Sequence, residues 1–513
     1  MAAAGIATVT GGTTLVSGRT VAAGPDDGKA GAYQAQAAPA RGGESGEQDG
    51  EYWAEHAGSP GERDGGREEG HPGPHGEGDA GTHDKDHSDA RDQGRSDDEE
   101  KDDSVARGED DSGAWGEEAG GRDEGDDAYT HDRGDSADGG RDTVPCDPNA
   151  LITAVTEANN DGGGTLSLAE DCTYTLTATQ DGNGLPEIVQ PITIHGNGAT
   201  IARAANAASF RFFQVAAGGD LHLKHLTLTR GKVGANTNGG AIFVEFAGRL
   251  DLDKVTLSHN TAGNDGGAVR NEGITRISQS TLNHNTALRL GGAISNGVSQ
   301  GNGAKLNIST SKLTHNNASG GGGGIYSTGT ATISKSLISH NKDRGPGGGI
   351  AVLGGVMEVE QSAISHNTGD NAGGGIFSGL ASVYLRKTTV SHNTSSTGGG
   401  LYLINATVED SKIDKNIALI DNGGGVYVGG FKVAIRHSRI TGNQAPRGSG
   451  AGLFISNGNV TLTDIKVKDN IAGTAPGGVD NNDTVNTYGK VIIIDNVPTN
   501  CDGSTNPVPG CFG

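Results

Sequence analysis

Glu360, Arg386, Glu409 and Arg436 follow one another at intervals of 26, 23 and 27 residues, carboxylate and guanidinium in turn. Two carboxylates with a cation between them can do acid/base chemistry on a glycan, one group giving a proton while the other stays charged. The same residues on an open surface would form an ion-pair ladder that fixes register and does no chemistry. Phe377, Tyr402, Tyr427 and Phe454 recur at 25, 25 and 27 residues, as in Leu401-Tyr402-Leu403, Val426-Tyr427-Val428 and Leu453-Phe454-Ile455. Period-two alternation turns the aliphatics inward and the ring outward. Such a row can stack on itself, or offer a platform to sugar rings or to a partner surface. These four rings are therefore the expected ligand-binding strip.

His259, His284, His315, His340, His366 and His392 each stand one residue before an Asn. Zinc needs tetrahedral convergence, which side-by-side imidazoles rarely give, so this column reads as a solvated corner. Asp251 and Asp253 are a lone outward pair, sparse for an ion that takes six to eight oxygens. No metal site is expected, and calcium is the sole candidate cofactor. His71, His75, His83 and His87 lie among carboxylates and allow only unspecific binding of divalent metals.

All of these residues depend on segments about 25 residues apart being brought together, and the sequence says how. From residue 239 an aliphatic three places before an Asn recurs: Leu257…Asn260, Leu282…Asn285, Leu313…Asn316, and so on to Ile493…Asn496, at spacings of 23 to 31. A Gly pair before an aliphatic alternates with it, as in Gly239-Gly240-Ala241-Ile242 and Gly266-Gly267-Ala268-Val269. Between the landmarks, residues alternate in polarity with period two. Two or three short strands in some 25 residues make one turn of a solenoid whose coils stack at ~4.8 Å. The expected fold is all-β, a parallel β-helix of ten or more coils. The Asn would form an amide ladder at one bend, and the Gly pairs would supply φ > 0 at another.

An open solenoid needs capped ends. Asp147-Pro148 starts a helix, Leu151, Ile152, Val155 and Ala158 share one face, and Asp161-Gly162-Gly163-Gly164 ends it. Cys146 and Cys172 flank this cap, while Cys501 and Cys511 close the far end. The four are expected to form two disulfides in an oxidising compartment.

The remaining sequence is of another kind. Of 513 residues, 90 are Gly and only 4% are aromatic, which excludes a thick core along the whole length. Residues 1–143 hold 36 acids and 13 bases, whereas the rest hold 27 and 26. Residues 1–24 read as a possible degenerate signal segment. Residues 25–143 read as a disordered acidic arm, 144–500 as the β-helix, and 501–513 as a Cys-containing cap. The net charge of −24 argues against nucleic acid as a partner, and no apolar run is long enough to span a membrane.

The paired GGA and apolar-x-x-Asn motifs resemble the repeats of chlamydial polymorphic outer-membrane proteins and of secreted bacterial β-helix proteins in the pectin-lyase-like class. Leu151-x-x-Ala154-Val155-x-x-Ala158-Asn159, with Thr165-Leu166-x-Leu168 and Tyr174-x-Leu176-Thr177, is similar to the CSLREA-type N-terminal motif of bacterial surface proteins, in degenerate form. The resemblance implies a right-handed helix with its short capping helix at the N-terminus, in a secreted or cell-surface protein. The class carries lyases, hydrolases, adhesins and inert stalks. The expected role is non-catalytic binding of an extended glycan or other host or cell-surface ligand. The runner-up is a polysaccharide lyase or glycoside hydrolase, and a third reading is a structural stalk.

Overall fold

Short runs with alternate apolar residues cannot bury themselves singly; winding lets each run stack on its equivalent one repeat later. The computed structural model describes residues 143–297 and 303–513. The expected signal segment and, except for Thr143, the acidic arm lie outside the described residues.

One coil illustrates the rest. Ile376–Ser378 and Ser382–Arg386 run in the largest sheet, Thr389–Ser391 in a second and Thr394–Ser395 in a third. One coil on, their parallel partners are Ile376↔Leu401, Ser382↔Asn405, Thr389↔Lys412 and Thr394↔Ile417. The three sheets hold 22, 13 and 10 strands among the described residues. The 13-stranded sheet takes one strand from each coil, so thirteen coils span about 60 Å.

Aliphatic columns fill the interior. Ile376, Val383, Leu385 and Val390 of one coil lie under Leu401, Ala406, Val408 and Ile413 of the next, all buried. Burial of each large aliphatic contributes about 1.5–3 kcal/mol, so the columns supply most of the cohesion.

Corners decide where side chains leave the coil. The expected positive φ appears at the glycines, as in Gly398 at 61° and Gly423 at 72°. Two further left-handed corners per coil are held by other residues: Lys387 at 50° before the second sheet, His392 at 54° after it. The residue following each His is the Asn of the expected ladder. From Asn260 to Asn496 each of these side chains is buried, its amide oxygen serving the coil before and its Nδ2 the coil after.

The ends are closed. Helix α1, Pro148–Asn160, starts where Asp147 accepts a hydrogen bond from the Ala150 N–H at 3.2 Å. It buries Leu151, Val155 and Ala158, while Ile152 stays half-buried. Beneath it the first coils are filled by Tyr174, Phe210, Phe212 and Phe213. Cys146 is bonded to Cys172 and Cys501 to Cys511. At the C-terminal end Asn500 completes the ladder by accepting from Asn496 Nδ2 at 3.0 Å.

Candidate functional site

In the long strands of the largest sheet, alternate side chains enter the core and the others stand on the surface. The surface residues form three columns, one of which begins Asp220, Arg249, Ile274, Lys305; the other two carry the residues of interest. One runs His222, Asp251, Arg276, Asn307, Thr332, Glu358, Tyr384, Thr407; the other runs Lys224, Asp253, Ser278, Ser309, Ser334, Glu360, Arg386, Glu409, Arg436. The proposed catalytic candidates Glu360, Arg386, Glu409 and Arg436 are thus successive neighbours in one column. Arg386 Nη2 contacts Glu360 Oε1 at 2.6 Å, but among the described residues the pairing stops there and Glu409 and Arg436 form no ion pair.

Glu360, Arg386 and Glu409, but not Arg436, border a shallow cleft of about 240 Å³ together with Glu358, Tyr384 and Thr407. Tyr384 is 47% exposed, with Val383 and Leu385 on either side buried. Its ring stands next to Glu358 and Thr407 in register. The cleft offers an aromatic surface, carboxylates and a guanidinium within three coils, a set suited to hydroxyl-rich ligands.

A second cleft, of about 260 Å³, lies toward the N-terminal end of the same face. His222 Nε2 lies 3.0 Å from Asp220 Oδ1 and its Nδ1 3.2 Å from Asp251 Oδ2. The Asp220 carboxylate, helped by Asp251, holds the imidazole above its ordinary pKa against the opposing effect of burial. The same contact holds Asp220 below the usual carboxylate range. Arg276 Nη1 reaches Asp251 Oδ1 at 3.5 Å, and Ser278 donates to Asp253 Oδ1 at 2.8 Å. Asp251 is therefore shared by His222 and Arg276, while Asp253 is held by Ser278. Asp220, His222 and Asp251 are close enough to share an ion, their ligand atoms within 4.8 Å of one another. Both imidazole nitrogens instead face carboxylates, the arrangement of a charged imidazolium.

Residues 324–497 match the family described as right handed beta helix region. The described residues form a right-handed parallel β-helix. No curated protein matches it in sequence. Among solved structures, this β-helix is similar to the A-module of a mannuronan C-5 epimerase of Azotobacter vinelandii, with 12% identity, 67% of this chain and 94% of that one covered, and a TM-score of 0.42. It is similar to tailspike protein 3 of bacteriophage CBA120, with 13% identity, 72% and 61% covered, and a TM-score of 0.40. It is also similar to PfbA, a surface adhesin of Streptococcus pneumoniae, with 11% identity, 67% and 96% covered, and a TM-score of 0.27. No helix among the described residues is long and apolar enough to cross a membrane.

The aromatic strip of the β-helix is continuous but not open. Ring centroids are 5.1 Å apart for Phe377–Tyr402, 4.8 Å for Tyr402–Tyr427 and 5.1 Å for Tyr427–Phe454. Each ring covers the face of the next, so the strip presents edges. The expected outward exposure fails at Phe454, which is 6% exposed, and the other three are half-buried. Burial pushes the Tyr402 and Tyr427 phenols up. The corner glycines account for this: a Cβ on Gly423 would lie 2.9 Å from that of Tyr427, so the turn folds over the ring.

Two surface residues escaped the sequence reading. Tyr384 occupies an outward position of a recognised strand, and scanning every outward column instead of one finds it. His222 lies on a coil before residue 239, where the repeat landmarks begin.

Proposed function

We propose that this β-helix binds an extended glycan along the exposed face of its largest sheet, without catalysis, as a secreted or cell-surface protein. The observation that carries this is Tyr384: an exposed ring on the same strand as Arg386, between coils that present Glu358 and Glu360 on one side and Glu409 on the other. Sugars present apolar C–H faces and hydroxyl edges, which suit a ring bordered by charged hydrogen-bonding groups. A face repeating at ~4.8 Å along thirteen coils suits a polymer better than a small molecule. The half-buried Phe377, Tyr402 and Tyr427 edges would border the ligand without stacking on it. Two disulfides support export, since such bonds persist in oxidising compartments.

A glycan array probed with the full chain, followed by titration of the best ligand, tests this. Tyr384→Ala with Arg386→Ala should weaken binding at least about tenfold, a loss in the range of a stacking contact plus a charged hydrogen bond. No bound glycan, or a double variant that binds as the parent does, would refute it.

One arrangement favours the polysaccharide lyase or glycoside hydrolase reading. Glu360 and Glu409 stand on coils two steps apart, roughly 10 Å, with Arg386 between them, near the carboxylate separation used for inverting hydrolysis. Release of reducing ends or of unsaturated product, abolished by Glu409→Gln, would replace simple binding with catalysis.

A further inference from the structure

We propose that the column His259, His284, His315, His340, His366 and His392 binds divalent transition-metal ions, each ion held by two imidazoles from neighbouring coils. All six side chains are exposed. Their rings stack with centroids 4.8–5.1 Å apart and planes within 9° of parallel. Among the described residues none of the six has a side-chain hydrogen bond or ion-pair partner, whereas His222 and His437 both face carboxylates. The ring nitrogens are free to take a ligand.

The fold does not require histidine here. These residues hold left-handed corners at φ 53–56°, and later coils fill the same corner with Lys415, Gly442, Asp469 and Asp495. The backbone needs a residue that tolerates this conformation, and Asn, Asp and Gly do so as well. Six successive imidazoles exceed that need.

The geometry allows pairs. Two nitrogens bound at about 2.0–2.1 Å to one ion lie roughly 3 Å apart. Stacked rings some 5 Å apart reach this by leaning together by about 1 Å each, which exposed side chains can do by rotating χ1 and χ2. Water completes the shell, and imidazole suits copper, nickel and zinc rather than calcium. Six rungs taken two at a time give about three ions per chain.

The full chain at about pH 7.5 is titrated with Cu²⁺ and followed by electron paramagnetic resonance, with folding checked by circular dichroism. Expected are about three more bound ions than the triple variant His284→Asn, His340→Asn, His392→Asn retains, showing the hyperfine pattern of two nitrogens. That variant breaks every adjacent pair and should weaken these sites roughly tenfold or more. Histidines before residue 143 are common to both proteins and cancel. The same ion count and nitrogen pattern in the variant would overturn the proposal. Should the variant misfold, sub-stoichiometric Ni²⁺ added to the unaltered chain must first broaden the imidazole proton signals of these six residues. Broadening confined to other histidines would overturn it equally.

Discussion

The Nδ2 of Asn367 donates to Oδ1 of Asn393 at 3.0 Å, and the backbone N–H of Asn367 donates to the same oxygen at 3.0 Å. One buried oxygen thus satisfies two donors of the preceding coil. Asn393→Ala leaves the buried N–H and one Nδ2 proton of Asn367 without an acceptor, the other Nδ2 proton keeping the Ile338 carbonyl, and should destabilise by about 2–4 kcal/mol. The adjacent His392→Asn keeps the left-handed corner and should change stability by less than about 0.5 kcal/mol. Denaturant midpoints of the two variants check the contrast; equal losses would contradict it.

Tyr402 and Tyr427 stack on each other and are half-buried. Changing both to Ser removes stacking and apolar burial, at a cost of roughly 2–4 kcal/mol. Glycan affinity measured on the still-folded protein should fall less than in the Tyr384 and Arg386 double variant. The reverse ranking would return the aromatic strip to the centre of recognition.

Asp343 is buried, its Oδ2 lacking a partner among the described residues, and burial pushes its pKa up to about 7 although the Gly345, Gly321 and Arg344 backbone N–H groups oppose the rise. The folded state therefore holds this proton more tightly than the unfolded chain. Its contribution is unpenalised below about pH 4, becomes steadily less favourable as pH rises to about 7, and is constant above. Asp343→Asn should raise stability at pH 8 by roughly 2–4 kcal/mol and flatten the profile between pH 4 and 7. Melting curves across that window decide the matter.

His222 has its pKa raised by Asp220 and Asp251, so its stabilisation is complete below about pH 6.5 and is lost as pH rises through its own higher value. Asp220, held low by the same contact, contributes above about pH 4 and loses that contribution as pH falls through its depressed value. Proton resonance titration should find His222 above the ordinary histidine range. Asp251→Asn should move it downward.

Cys146 and Cys172 join the lead-in of the capping helix to the first coil across 26 residues. Replacing both by Ser should cost about 2–4 kcal/mol. Peptide mapping of the protein without reductant should recover the Cys146–Cys172 and Cys501–Cys511 pairs. Four free thiols would argue against an oxidising destination.

The sequence by itself determined the coil. Leu257, Asn260 and their successors repeat because every coil must put the same side chain against its neighbour, and period-two alternation then assigns core and surface residue by residue. The Glu360, Arg386, Glu409 column was legible for that reason, as were the Asn ladder and the capping helix. The tertiary structure alone decided how open each outward position is. Tyr384 and Phe454 both alternate with buried aliphatics, yet Tyr384 stands on an open sheet face while Phe454 lies beneath the corner at Gly450. Periodicity gives a side chain's direction; its exposure depends on how the preceding corner folds back over it. The same reason accounts for His222, whose partners Asp220 and Asp251 come from one strand and from the next coil, a convergence fixed by register and corner length together.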